Sequence, residues 1–225
     1  ARTPDSAPAK FVAVLAFANL SDDRDNEYFS EGISEELLNV LAKVPGLSVA
    51  ARTSAFYFKG RSATAQEIGQ KLGVAHIVDG TVRRAGSAVR VVAHLSRTDT
   101  GEQIWTAAFD GELEKPWALQ EQIARRIAEA LQVKLGATAQ AARTVNPEAF
   151  RLMLEGRYCW NQRSERTEEV LARAATVYQR ALAIDPVFAE AHAGLGDVSV
   201  TRGLYRSMDG RGAAVANDYA EARAE

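Results

Sequence analysis

Four carboxylates crowd one short turn of this chain. In FANLSDDRDNEYFSEGISEELL, residues 17–38, Asp22, Asp23, Asp25 and Glu27 follow an apolar run and precede a helix start. Oxygen donors at this density could in principle hold calcium. An EF-hand loop, however, needs oxygens at its first, third and fifth positions, then glycine at the sixth and glutamate at the twelfth. Neither Asp22 nor Asp23 begins such a pattern. The same acids suit the positive end of the helix that follows, with Asn26 or Ser30 as its cap. The turn therefore reads as a handover between elements and not as a metal or catalytic centre.

A second group of reactive types sits in ARTSAFYFKGRSA, residues 51–63, where Arg52, Thr53, Ser54, Lys59 and Arg61 gather beside Phe56, Tyr57 and Phe58. The segment follows a predicted strand, and ligands of open α/β sheets bind at such strand ends. These donors would suit an anionic small molecule or a peptide carboxylate. The competing reading is an edge loop whose aromatics plug the core and whose basic groups are solvated.

Other chemistry is thinly represented. His76, His94 and His192 lack the paired spacing of a zinc site. Cys159, the single cysteine, rules out an intrachain disulfide and has no neighbouring histidine to activate it. No G-x-S-x-G elbow, Walker loop or G-x-G-x-x-G run occurs, so no cofactor is implied. Arg83-Arg84 and Arg125-Arg126 read as ordinary charged pairs on a hairpin and a helix face. With 27 basic and 29 acidic residues and a net charge of −2, the chain presents no general field for nucleic acid. No run reaches the roughly 18 apolar residues of a membrane helix. The opening ARTPDSAPAK has linker composition, and the last residues read as helix without a stop signal, so the chain reads as a piece of something larger.

The elements that must position these residues follow from periodicity. KFVAVLAF (10–17) is a nearly continuous apolar run, as expected of a strand buried on both faces. Ile33, Leu37, Leu38, Leu41 and Val44 recur at helical spacing over 28–44, and Pro45-Gly46 stops that helix. LSVAAR (47–52) reads as a short strand and 63–73 as a helix closed by Gly73. From Ala75 the period falls to two, with turns at 85–87 and 98–102, which predicts a three-stranded antiparallel meander. Pro116 opens a helix over 115–135 in which Leu119, Ile123, Ile127, Leu131 and Leu135 step by four, and this helix should lie across the sheet. The order predicts an α/β domain over 11–136, a mixed sheet with covering helices, after a linker at 1–10.

Beyond a linker at 137–147 the strand signal vanishes and residues 148–225 read as all-α. Ala174, Tyr178, Ala181 and Pro186, followed by Leu195-Gly196, match a tetratricopeptide repeat: small residues where helices approach, an aromatic between them and a proline ending the second helix. A period of about 34 residues places one repeat from about Glu155 to Phe188 and the next from Ala189. Asn161 and Gln162 stand where Leu-Gly would be expected in its first helix. Since repeats need neighbours to bury their apolar faces, the array should continue past Glu225 or dock on the first domain. The competing reading is a helical hairpin that merely stabilises the first domain.

Taken in order, VLAFANLSDDRDNEYFSEGISEELLNVLAKVPGLSVAARTSAFYFKG, IGQKLGVAHIVDGTVRRAGSAVRVVAHLSRTDTGEQIWTAAFDGELEKPWALQEQIARRIAEAL and FRLMLEGRYCWNQRSE with AATVYQRALAIDPVFAEAHAGLGD resemble the TolB amino-terminal-like domain followed by tetratricopeptide repeats. The resemblance spans about residues 10–200 and rests on the succession of blocks. Ala16 stands where the family usually has proline, and LYRSMDGRGAAVANDY interrupts the next repeat. The resemblance implies a bacterial multidomain regulator whose output is a CadC-type winged-helix domain or an adenylate/guanylate cyclase domain, neither of them in this stretch. It implies no catalytic residues. Asn19-Leu20-Ser21, Tyr28-Phe29, Gly32, Arg52 and Lys59-Gly60 are block residues of that likeness.

The function expected is therefore a non-catalytic sensory or protein-interaction region in signal transduction or transcriptional control, binding a protein, a peptide or a small ligand, with a homodimer among its expected assemblies. It would be a periplasmic or cytoplasmic domain, the periplasm being favoured, joined to a membrane only through an upstream segment. The rival readings are a cell-envelope assembly protein and, last, an enzyme using the 51–63 loop or the 22–27 acids.

Overall fold

A computed structural model of the chain describes residues 10–21, 26–112, 116–131, 146–163 and 167–208. Asp22, Asp23 and Asp25 of the acidic turn, Leu135, and most of the two expected linkers lie outside them. The chain divides into two compact units, Ala1–Arg143 and Thr144–Glu225.

The first unit is a mixed α/β layer structure. Its sheet contains β1 (Phe11–Val14), β2 (Ala18–Asn19), β3 (Ser48–Val49), β4 (His76–Ala85), β5 (Ala88–Arg97) and β6 (Gln103–Glu112), in the order β3-β1-β4-β5-β6 with β2 also on β4. β1 runs parallel to both β3 and β4, so it is interior, and Val12, Ala13 and Val14 are fully buried. The 10–17 run is not one strand as expected. It breaks at Leu15–Phe17 because the Phe17 N–H donates to Ser34 Oγ (2.9 Å) and not to the sheet, and Ser34 Oγ in turn donates to the Ser30 carbonyl (2.7 Å). The chain rejoins β4 as β2, with Ala18 aligned to Thr81.

Helix α1 (Glu27–Ala42) buries Ile33, Leu37, Leu38 and Leu41, with Val44 buried just beyond its end. Asn26 occupies its N-cap position without a side-chain cap bond, and neither Asn26 nor Ser30 caps the helix as expected. Asn26 Oδ1 instead accepts from Arg84 Nη1 (3.2 Å), which holds the helix entry to the hairpin. The stretch expected as strand over 47–52 pairs only at Ser48–Val49, and at Arg52 it has already turned into the short helix α2 (Arg52–Phe56). The 51–63 segment is thus helix and tight turns, not an open loop. Helix α3 (Ala65–Leu72) has a full capping box, Thr64 Oγ1 accepting from the Glu67 N–H while the Glu67 carboxylate accepts from the Thr64 N–H. It ends at Gly73 with φ of 66°, where the left-handed turn favours glycine.

The meander has the expected two turns, Ala85 facing Ala88 across the first. Val89, Val91, Ala93 and Leu95 share its buried face. That face is covered by α4 (Pro116–Ala130), which buries Leu119, Ile123, Ile127 and the following Leu131 and packs against α1 and β6. The opposite face is covered near β1 and β4 by α2 and α3, where Ala13, Ala55, Phe58, Ile68 and Ile77 form a second core.

The second unit contains α5 (Pro147–Asn161), α6 (Thr167–Ile184) and α7 (Ala189–Met208), each packed on the other two. α5 begins where the all-α segment was expected, because Asn146 Oδ1 accepts from the N–H groups of Glu148 (2.9 Å) and Ala149 (3.2 Å) and Pro147 suits the first turn. Ala174, Tyr178, Ala181 and Leu195 are buried, and Pro186 lies in the turn after α6. Gly196, expected at a close approach, has nothing within 4 Å of the place a Cβ would take. The close approaches are at Gly156 of α5 and Gly194 of α7, which flank the Tyr178 ring: an ideal Cβ on either would stand 2.8 Å and 2.3 Å from it.

Candidate functional site

Glu27, Glu31 and Glu35 recur at four-residue spacing and so form a row of carboxylates along one stripe of α1. The chain after β3 brings two cations onto that row. Arg52 donates from Nε to Glu35 Oε2 (2.8 Å) and from Nη2 to Glu31 Oε2 (3.4 Å). Lys59 Nζ reaches Glu27 Oε1 at 2.8 Å and also donates to Glu31 Oε1. Glu31, only 9% exposed, is thereby held from both sides. Partial burial works against the Lys59 charge, but the two glutamates outweigh it and raise its pKa above the ordinary value. The Arg52 guanidinium also lies 4.4 Å over the Phe56 ring. Arg52 and Lys59 are thus paired, though Lys59 stays part-exposed: with two cations and three carboxylates, the network clamps α1 to α2 and its turn.

The remaining donors of 51–63 point elsewhere. Thr53 and Ser54, with Tyr57, Phe58, Lys71 and Leu72, line a groove of about 310 Å³ between α2 and α3. Arg61 stacks on the Tyr57 ring at 3.8 Å and donates to its hydroxyl at 2.8 Å. The five residues expected at one site therefore split between a neutralising clamp and a groove wall, with Arg61 outside both.

A crevice of about 500 Å³ opens at the break between β1 and β2, lined by Leu15, Phe17, Asn19, Glu27, Lys59 and Asp79, among others. It lies beyond the carboxyl end of β1, the end of a parallel strand at which α/β sheets bind ligands. Burial pushes the Asp79 carboxyl above the usual carboxylate range, against the opposing pull of His94, its cross-strand partner. His94 Nδ1 lies 2.8 Å from Thr106 Oγ1 on the next strand. Asp79 escaped the sequence reading because an acid in an alternating strand carries no local signal. The Glu27, Glu31, Glu35 spacing was visible in the sequence, but not that two cations close onto it.

The other candidates hold structural places. His192 Nε2 is 2.9 Å from the Pro186 carbonyl, and Arg84 lies over the Phe29 ring. Cys159 is buried in α5, and burial, only partly offset by Arg173, raises its thiol pKa. Among the described residues no group of three or more His, Cys, Asp or Glu side chains could hold a metal ion. No described helix is long and apolar enough to cross a membrane.

No protein family matches the chain by its sequence profile. A bacterial relative does. The chain is 36% identical over 206 residues to the Rhizobium meliloti (strain 1021) protein named "Putative adenylate cyclase 3", the match covering 89% of this chain and 35% of that protein. The chain thus spans about a third of the length of that relative. Among solved structures, lipoprotein GNA1162 from Neisseria meningitidis is similar over 53% of this chain and 96% of its own, at 17% identity and a TM-score of 0.41. TolB from Acinetobacter baumannii is similar over 60% of this chain and 31% of its own, at 16% identity and 0.42. The LpoB C-terminal domain from Escherichia coli follows with 49% and 87% coverage, at 16% identity and 0.38. These structural likenesses are partial and concern the fold alone.

Proposed function

We propose that this chain is a non-catalytic sensory and interaction region of a bacterial signalling protein whose output domain, of the adenylate cyclase type, lies outside it. The α/β unit is a TolB amino-terminal-like module and the helical unit opens a tetratricopeptide array, a surface for a protein or peptide partner. Its place is in a membrane-anchored protein, on the periplasmic side. The observation that carries this reading is the extent of the match with the Rhizobium protein: it runs over 206 residues and both units, yet leaves roughly two thirds of that protein for other domains. The site chemistry agrees, since Glu27, Glu31 and Glu35 pair with Arg52 and Lys59 and so anchor α2 and its turn to α1.

The test is formation of cyclic AMP from ATP and magnesium, measured for the 225-residue chain alone and for the intact protein that contains it. Turnover by the intact protein with none by the chain is the expected result. Turnover by the chain alone overturns the reading.

A further inference from the structure

The two sides of the α2 segment differ in charge. On the α1 side every cation meets a carboxylate: Arg52 meets Glu31 and Glu35, and Lys59 meets Glu27 and Glu31. On the α3 side Lys71 makes no ion pair among the described residues. The carboxylate one turn before it on its own helix, Glu67, is turned back onto the Thr64 backbone N–H (2.7 Å) and hydroxyl (3.0 Å). Arg61, beside the groove, stacks on Tyr57 and donates to its hydroxyl, and makes no ion pair among the described residues. The Lys71 ammonium lies 5.8 Å from the centre of the Phe58 ring, so it overhangs the apolar floor that Phe58 and Leu72 make. The groove is also lined by Thr53 and Ser54, whose hydroxyls donate no hydrogen bond among the described residues. No acid is among the described residues that line this groove.

We infer that the groove between α2 and α3 binds a small monocarboxylate with an apolar or aromatic body. The carboxylate would meet Lys71 and the two hydroxyls, and its body would lie on Phe58 and Leu72 against Tyr57. An ammonium that makes no direct ion pair among the described residues, above an apolar floor, favours a ligand with an anionic end and an apolar end, although Glu67 one turn away partly offsets its charge. A volume of about 310 Å³ is at the small end of ligand pockets, which suits a single-ring acid better than a peptide chain. This inference rests on the reading of the region as a binding module, and it names the ligand class and the site.

The test is a titration of the 225-residue chain, followed by backbone amide NMR, with phenylacetate, 2-phenylethanol and phenethylamine. Phenylacetate should move the amides of 53–58 and 71–73, with the neutral alcohol and the amine at least about tenfold weaker, or about 1.4 kcal/mol. Lys71→Gln should weaken phenylacetate by a similar factor, whereas Lys43→Gln, at an exposed lysine just past α1, should leave it unchanged. Equal binding of acid and alcohol, shifts confined to other residues, or binding of Gly-Gly-Phe without binding of phenylacetate would each overturn the inference. Such failures leave the cyclic AMP assay untouched, so the two readings fall separately.

Discussion

Adding one methyl group at Gly194 should destabilise the helical unit, although alanine is the better helix former. Gly194 lies inside α7, where replacing glycine by alanine gains about 1 kcal/mol from propensity alone. The new Cβ would stand 2.3 Å from Tyr178 Cζ and 2.6 Å from its Cε1 and Oη, whereas carbon atoms rest at roughly 3.5–4.0 Å. The ring has little room to retreat, since it also lies close to Gly156 and Tyr178 is 2% exposed. Overpacking of this kind costs about 1–3 kcal/mol, and at a 2.3 Å approach the upper end applies, so a net loss of about 2 kcal/mol is expected for Gly194→Ala. Gly196→Ala, two residues along the same helix with open space around the site, should gain about 0.5–1 kcal/mol. Urea unfolding followed by far-ultraviolet circular dichroism measures both, with the helical unit's transition fitted separately if the two units melt apart. In a Tyr178→Leu background the penalty at Gly194 should vanish, which a double-mutant cycle reads directly. A Gly194→Ala midpoint equal to or above wild type would refute the packing argument.

Two further outcomes concern the α1 clamp. Glu31→Gln leaves Arg52 and Lys59 each short of a carboxylate and should lower stability by about 1–2 kcal/mol, the part-exposed Lys59 side being screened by solvent; thermal unfolding checks it, and an unchanged midpoint would mean that the pairs contribute nothing net. Because the folded-state pKa of Lys59 lies above its ordinary 10.5, the stability it contributes is complete below that value and lost as pH rises through the folded pKa. The stability gap between wild type and Lys59→Met should therefore be constant from neutral pH to about 9 and close at higher pH, and a gap that widens there would contradict the sign.

Much of the first unit was legible in the sequence because its signals are local. A buried helix stripe such as Ile33, Leu37 and Leu41, the two-residue alternation of Val89, Val91, Ala93 and Leu95, and the Gly73 stop each state their element within one or two turns. In the second unit the Ala174, Tyr178, Ala181 spacing marked a close helix contact for the same reason.

What the tertiary structure decided is what those elements do to one another. Ser34 takes the Phe17 N–H from the sheet and divides the first strand, an exchange between residues seventeen apart that no local pattern carries. The glycines that admit Tyr178 belong to two different helices, so spacing pointed to Gly196 while packing selected Gly156 and Gly194. Composition marked Arg52, Thr53, Ser54, Lys59 and Arg61 as one cluster of donors, but a helix of five residues turns Arg52 toward glutamates on α1 and Thr53 and Ser54 toward Lys71. The sequence by itself determined the longer helices, the three-stranded meander and which residues are charged. Only the folded chain decided which charges are cancelled and which remain to meet a ligand, because cancellation depends on distances between segments that hydrophobic burial, and not sequence proximity, brings together.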